Sequence, residues 1–236
     1  MVLLSIFTTM INDSVIEFKN ATIYQGEVPV ISNLNLALHK GEFVYLLGKT
    51  GSGKSSLLKT IYGDISLTVG TGEVSGFKLQ SLKRKEIPFL RRKLGIVFQD
   101  FQLLSDRTVF ENLRFVMKAT GWNDEEKIKA RVKDVLSKVG LESKAQVMPF
   151  QLSGGEQQRI SIARALINEP EVILADEPTG NLDPETSEEI MKLLLDISKQ
   201  GRLILFATHD ILLYSKFPAR TLMCDNGQIA DSAKIS

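Results

Sequence analysis

The feature that most constrains the fold of this chain is a glycine-rich segment, Gly48-Lys-Thr-Gly-Ser-Gly-Lys54-Ser55, which matches the pattern G-x-x-x-x-G-K-[S/T]. It follows an apolar run, residues 43–47, that predicts a buried strand, and it precedes a predicted helix over about 55–61. Glycines let backbone N–H groups surround anionic oxygens, and a helix N-terminus adds positive potential. The sequence therefore predicts a phosphate-binding loop between a strand and a helix, rather than a turn that merely contains lysine and serine.

Two side chains of this loop have distinct predicted roles. Lys54 can reach the β- and γ-phosphates of a nucleotide, and the hydroxyl of Ser55 can bind Mg²⁺. The residues of the loop that we assign to nucleotide binding are Gly48, Lys49, Thr50, Gly51, Ser52, Gly53, Lys54, Ser55 and Ser56.

Short apolar strands alternate with helices along the rest of the chain. Runs at 94–98, 172–175 and 203–207 have the continuous apolar character of strands in a parallel sheet that is covered on both faces. Residues 15–45 alternate between apolar and polar side chains around a turn at Gly26, which predicts an antiparallel sheet at the edge. A charged stretch at 110–140 predicts a helical insertion. The fold class is therefore α/β, a mainly parallel core with an antiparallel subdomain and a helical insertion.

The length of 236 residues, with 43% hydrophobic and 24% charged side chains, is typical of a folded domain. We expect one domain over 14–236, a helical subdomain over about 100–165, and an N-terminal extension without fixed structure over 1–13, in which Met10 is a second candidate start. The longest apolar runs are about five residues, against the 18 or so that cross a bilayer, so no membrane span is predicted.

Charge and cysteine usage exclude other classes of protein. The 29 basic and 28 acidic residues give a net charge of +1, and the basic clusters at 83–85 and 91–93 have no interleaved aromatic residues, so we expect no nucleic-acid partner. A single cysteine, Cys224, and two distant histidines predict no intrachain disulfide, no structural zinc and a reducing cytoplasm.

A second acidic element follows the apolar run at 172–175. Asp176 and Glu177 end this strand, the arrangement expected when one carboxylate holds Mg²⁺ and the next orients the attacking water. The alternative is that the two carboxylates only cap the following segment. The phosphate loop upstream favours the catalytic interpretation.

The run Leu152-Ser153-Gly154-Gly155-Glu156 before a predicted helix forms a second anion-binding turn. It resembles the signature of ATP-binding-cassette (ABC) ATPases. The resemblance covers about 14–230 and implies a homodimer in the ATP state, in which Ser153 and Gly155 of one subunit cover the ATP bound by the other.

The resemblance also implies roles for residues at matching positions. Tyr24 matches the aromatic residue that stacks on adenine, and Gln99 matches a glutamine that binds Mg²⁺ and senses the γ-phosphate. The segment 181–183 matches a loop that contacts the opposite subunit, and His209 matches a histidine that contacts the γ-phosphate. The implied catalytic residues are Lys54, Gln99, Glu177 and His209; the implied metal ligands are Ser55, Gln99 and Asp176; the cofactors are ATP and Mg²⁺.

Within this family, residues 98–112 and 177–183 look most like bacterial cell-division ATPases. That resemblance implies a peripheral protein at the cytoplasmic face of the inner membrane, bound to an integral subunit expected to be an FtsX-like permease. The groove for it is expected among Phe101, Leu103, Leu104, Phe110 and Phe115, which could equally be core residues. The alternatives are a lipoprotein-release or macrolide-export ATPase, and a nucleotide-switched assembly module with little transport.

Overall fold

The computed structural model describes residues 14–234, so the extension predicted at 1–13 lies outside the described residues. The strands are β1 (Ser14–Gln25), β2 (Val28–His39), β3 (Phe43–Leu47), β4 (Val69–Val74), β5 (Phe77–Lys78), β6 (Leu94–Phe98), β7 (Val172–Asp176), β8 (Leu203–Thr208), β9 (Arg220–Asp225) and β10 (Gln228–Asp231). The helices of six residues or more are α1 (Lys54–Ile61), α2 (Ile87–Arg92), α3 (Val109–Ala119), α4 (Glu125–Lys138), α5 (Gly154–Leu166), α6 (Pro184–Lys199) and α7 (Ile211–Lys216).

The central sheet has the strand order β10-β9-β3-β8-β7-β6. All its neighbours pair in parallel except β10, which pairs antiparallel with β9. Every residue of β3 and β8 is buried, because side chains on both sheet faces pack against other elements. The parallel core and the strands predicted at 43–47, 94–98, 172–175 and 203–207 are confirmed.

A second sheet is antiparallel and has the order β2-β1-β4-β5. The sequence predicted its first two strands from their alternation, but β4 and β5 were not predicted. Gly70 in β4 has φ +80°, and a Cβ there would lie 2.3 Å from the carbonyl oxygen of Asn20 on β1. A glycine at this point lets the two backbones approach closely, at the cost of the apolar pattern that would have identified the strand.

The helical segment predicted at 110–140 is present as α3 and α4. Asn112 on α3 is buried and holds the preceding loop: its Oδ1 accepts from the N–H of Leu104 (2.7 Å), and its Nδ2 donates to the carbonyl oxygens of Leu104 (3.0 Å) and Thr108 (3.0 Å). This amide satisfies backbone groups that a loop would otherwise leave unpaired.

The helix α5 lies directly on the strand β6. A Cβ at Gly95 of β6 would be 2.7 Å from the carbonyl oxygen of Ala165 on α5, so the absence of a side chain sets their separation. Among residues 14–234, no helix is both long enough and apolar enough to cross a bilayer.

Candidate functional site

A cleft of about 890 Å³ lies where the loops that follow β3, β6, β7 and β8 meet. These loops converge because the carboxyl ends of parallel strands lie at one edge of the sheet. The residues that line the cleft come from these four loops and the adjoining ends of β6 and β7, from the end of β1, from α1 and from the segment after α1: Gln25, Thr50, Gly51, Gly53, Lys54, Ser55, Ser56, Lys59, Asp64, Ile65, Phe98, Gln99, Asp100, Asp176, Glu177, Asn181 and His209.

The phosphate-binding loop is wrapped tightly around its own lysine. Lys54 is buried, and its Nζ donates to the carbonyl oxygens of Gly48 (2.6 Å) and Lys49 (3.3 Å). A Cβ at Gly48 would be 2.5 Å from Oγ of Ser52 and 2.6 Å from the carbonyl oxygen of Cys224, so no larger residue fits there. Gly48, Lys49 and Ser52 do not line the cleft, whereas the remaining predicted loop residues do.

The start of the helix after this loop fits a bound phosphate. The N-cap of α1 is Gly53, which has φ 101° and provides no side-chain cap, so the first N–H groups of the helix have no side-chain acceptor at the cap. Anionic oxygens bound in the cleft would supply the missing acceptors.

The two carboxylates predicted at the end of β7 occupy the floor of the cleft. Burial raises the pKa of Asp176, and the charge of Glu177 adds to this shift, while a hydrogen bond from Ser55 opposes it. Oε1 of Glu177 lies 3.5 Å from Nζ of Lys54 and 3.0 Å from Nδ1 of His209. One carboxylate oxygen thus joins the phosphate loop to the end of β8.

The backbone of Glu177 is in the left-handed region, with φ 49°. Its N–H donates to the carbonyl oxygen of Ala207 (2.9 Å), and its carbonyl oxygen accepts from the N–H of Gly180 (3.1 Å). A non-glycine residue in this region is strained by about 1–3 kcal/mol and persists only where surrounding contacts hold it. These contacts fix the carboxylate at the cleft.

The oxygen donors of the cleft fit Mg²⁺. Ser55 and Asp176 are within hydrogen-bonding reach of each other, and Gln99 lines the same cleft. Within the described part of the chain, no group of three or more His, Cys, Asp or Glu residues could hold a metal by itself. Mg²⁺ is commonly held by one or two carboxylates together with substrate phosphates, so this small set of hard donors is suited to a metal that arrives with a nucleotide.

Tyr24 lies beside the cleft rather than in it. It lines a neighbouring cavity of about 530 Å³ that shares Gln25 and Ile65 with the cleft.

Ser153 and Gly155 do not line the cleft of their own chain. Ser153 is the N-cap of α5: its Oγ accepts from the N–H of Glu156 (3.2 Å), whose carboxylate accepts from the N–H of Ser153 (2.9 Å). A Cβ at Gly155 would be 2.5 Å from Cγ2 of Thr186 on α6. Ser153 is exposed, and the turn is available to a second molecule.

Sequence reasoning missed several residues of the cleft, among them Lys59, Asp64 and Asp100. Lys59 lies one helical turn after Ser55 on α1, so the helix period could have placed it on the same face. Asp64 lines the cleft only because the chain turns back after α1, and no local sequence pattern predicts this turn.

The predicted membrane groove is divided between surface and core. Leu104 and Phe115 are exposed, at 37% and 48%, whereas Leu103 and Phe110 pack against the hydrophobic core. A cavity of about 390 Å³ lies beside this segment, between α2, β6, α3 and α5, and Gln102 contributes to its wall.

Comparison with known proteins identifies the group to which these features belong. Residues 31–180 match the family model described as ABC transporter. The chain is 43% identical over 217 residues to the cell division ATP-binding protein FtsE of Streptococcus pneumoniae serotype 2, covering 92% of this chain and 94% of that protein. It is 46% identical over 206 residues to the protein of the same name from Bacillus subtilis, covering 87% and 90%.

Two solved structures have the same fold. One is cbiO1 from Clostridium perfringens, part of the ABC transporter complex cbiONQ, with a TM-score of 0.84, 31% identity, and coverage of 92% of this chain and 87% of that one. The other is the ATP-binding cassette MJ0796, dimeric and in a post-hydrolysis state with ADP and Pi, with a TM-score of 0.79, 36% identity, and coverage of 92% and 97%.

Proposed function

The chain belongs to the ABC transporter family, and from that premise we propose that it is the Mg²⁺-dependent ATP-hydrolysing subunit of a membrane complex of the cell-division type. The observation that carries the proposal is the position of Oε1 of Glu177, which lies 3.5 Å from Nζ of Lys54 and 3.0 Å from Nδ1 of His209. The Ser55–Asp176 pair lies next to it. A nucleotide-binding protein without hydrolysis would not need this carboxylate, which follows β7 and lies 3.5 Å from Lys54 of the phosphate loop.

In this proposal, the β- and γ-phosphates bind to the N–H groups of residues 48–56, and Lys54 exchanges its contact with Glu177 for the phosphate oxygens. Mg²⁺ supplies charge neutralisation at the phosphates, with Ser55, Gln99 and Asp176 as its protein ligands. Tyr24 stacks on the adenine.

The released Glu177 carboxylate then accepts a hydrogen bond from the attacking water and orients it in line with the γ-phosphate. His209, whose side chain is 63% exposed, is placed to contact the same phosphate. Catalysis of this kind consists of positioning and charge stabilisation, because phosphoryl transfer requires little covalent participation by the protein.

Each active site is completed by a second copy of the chain. Ser153 and Gly155 lie outside their own cleft, and Ser153, the N-cap of α5, is exposed. In a head-to-tail dimer the turn at 153–155 covers the ATP bound by the partner subunit. ATP thereby holds the dimer together, and hydrolysis releases it.

We also propose that the domain comprises residues 14–236 with a helical subdomain over about 100–165, and that the exposed side chains of Leu104 and Phe115 bind an FtsX-like permease at the cytoplasmic face of the inner membrane. Cell-division relatives over nine-tenths of the chain support this type of complex over an exporter.

The proposal is tested by purifying the chain from solubilised membranes of its own cells and identifying the integral protein that accompanies it. A four-helix permease with a large outer loop, together with Mg²⁺-dependent ATP turnover by the purified chain, is the expected result. Copurification with an export adaptor, or no turnover with or without the membrane protein, would contradict the proposal.

A further inference from the structure

Two loops that border the cleft are joined by a reciprocal pair of amide hydrogen bonds. Nε2 of Gln99 donates to Oδ1 of Asn181 (3.1 Å), and Nδ2 of Asn181 donates to the backbone carbonyl oxygen of Gln99 (3.1 Å). Gln99 follows β6, and Asn181 lies between β7 and α6, so the pair links segments 82 residues apart.

This pairing determines which end of the Gln99 amide is available to a ligand. A glutamine amide has one oxygen that accepts hydrogen bonds or binds cations and one NH₂ group that can only donate, and the network around it decides their orientation. The NH₂ end is occupied by Asn181. Its oxygen, Oε1, has no hydrogen-bond partner among residues 14–234, and the side chain lines the cleft.

Gly180, the residue before Asn181, leaves just enough room for the amide of Gln99. A Cβ at Gly180 would be 2.8 Å from Nε2 and 3.2 Å from Cδ of Gln99. The φ angle of Gly180 lies outside the left-handed region, so the backbone itself accepts alanine. The Gly180→Ala substitution therefore places a methyl group against Nε2 of Gln99 and disturbs this amide without removing a hydrogen-bonding group.

We propose that Asn181 is a positioning residue that fixes the amide of Gln99 with its oxygen toward the metal of the bound nucleotide. The inference rests on the proposed function, in which Gln99 binds Mg²⁺. Without the Asn181 acceptor, the amide rotates freely and presents NH₂, which repels a cation, for part of the time.

The test measures metal binding directly. Mn²⁺ is titrated into the full chain with saturating ADP, free Mn²⁺ is followed by electron paramagnetic resonance, and ADP affinity is measured separately in EDTA. Asn181→Ala and Gly180→Ala are expected to weaken Mn²⁺ binding by about tenfold, the lower end of the effect of removing a partner of a metal ligand. Neither variant should change ADP affinity in EDTA or the melting temperature by a comparable amount.

Two further variants separate positioning from general disruption. Asn123→Ala removes an exposed amide between α3 and α4 and should leave Mn²⁺ binding unchanged. In a Gln99→Glu background both ends of the side chain are oxygens, so the added Asn181→Ala change should have little further effect on Mn²⁺ affinity.

Three results would overturn the proposal. These are unchanged Mn²⁺ affinity in Asn181→Ala, an equal loss of ADP affinity in EDTA, and an undiminished Asn181→Ala effect in the Gln99→Glu background. If Gln99→Ala itself leaves Mn²⁺ affinity unchanged, the assignment of Gln99 as a metal ligand fails, and the positioning role fails with it. ATP turnover in that variant shows whether the wider proposed function survives.

Discussion

Replacing Glu177 by glutamine is expected to slow ATP hydrolysis and, at the same time, to tighten nucleotide binding. The substitution preserves the size of the side chain but removes the charge that faces Lys54 at 3.5 Å and His209 at 3.0 Å. Turnover falls because an amide is a poor acceptor for the proton of the attacking water. Binding tightens because the phosphates no longer have to displace a carboxylate from Lys54.

The structure sets the size of both effects. Two unit charges 3.5 Å apart attract each other by about 5 kcal/mol at an effective dielectric constant of about 20. Desolvation offsets most of this attraction in a pair that borders an open cleft, which leaves about 1–2 kcal/mol. ADP should therefore bind about 5- to 30-fold more tightly to Glu177→Gln. The loss of a positioned general base lowers turnover by about 10²- to 10⁴-fold.

Isothermal titration with ADP in EDTA measures the first effect, and single-turnover hydrolysis of ATP with Mg²⁺ measures the second. The matched control is Glu171→Gln, which removes a carboxylate from an ion pair with Lys93 (3.0 Å) outside the cleft and should change neither quantity. Unchanged or weaker ADP binding would refute the competition between Glu177 and phosphate for Lys54. Undiminished turnover would refute the catalytic role of Glu177.

Three other substitutions probe the phosphate loop, the membrane surface and the junction of the sheets. Lys54→Ala should abolish nucleotide binding or turnover, measured by titration and phosphate release, because the cleft loses its buried cation; wild-type turnover would contradict the loop assignment. Leu104→Asp should keep ATPase activity and melting temperature but lose about one to two decades of affinity for membranes in flotation, since an exposed apolar contact contributes about 1.5–3 kcal/mol; a variant that still floats with membranes would exclude the groove. Arg220→Met should lower the free energy of unfolding in urea by about 3–5 kcal/mol, because the guanidinium binds Asp231 (2.7 Å) and Glu42 (3.0 Å). Burial raises the pKa of Asp231, but the hydrogen bonds from Arg220 and from the N–H of Ala233, with the charges of Arg220 and Lys234, leave this pKa below its ordinary value. Wild-type stability should therefore fall as the pH drops below about 4, and the variant should show less of this loss.

Local patterns in the sequence predicted the elements that hold the site. The apolar runs gave the limits of β3 and β6 because strands buried on both faces have no polar positions. The phosphate loop and the 176–177 pair were predicted because their chemistry requires adjacent residues. Contacts between distant segments were not predictable in this way, and they include the Gln99–Asn181 amide pair and the position of Tyr24 in a cavity next to the main cleft.

The position of Lys54 is a further property that the sequence did not reveal. The motif predicted a lysine directed at phosphate, whereas its Nζ is bonded to carbonyl oxygens of its own loop and lies near Glu177. A buried ammonium group must find acceptors; two of them belong to the local loop, and the tertiary fold brings the third, Glu177, from the end of β7. The strand β4 was also missed because of a tertiary contact. Its glycines allow the close approach of β1, and glycines carry no apolar pattern that would have predicted a strand.

In the proposed dimer each active site combines the phosphate loop of one chain with the 153–155 turn of another, and mixing two defective variants tests this arrangement. Lys54→Ala lacks a working loop, and Ser153→Arg places a bulky cation in the turn. Ser153→Ala controls for the lost helix cap, which contributes about 1 kcal/mol. We expect Lys54→Ala and Ser153→Arg each to be inactive alone, although Ser153→Arg should still bind ATP. A mixture of these two variants should regain activity, because each mixed dimer contains one intact site. Wild-type turnover by Ser153→Arg alone would contradict the shared active site, because hydrolysis would then not require the turn of a second chain.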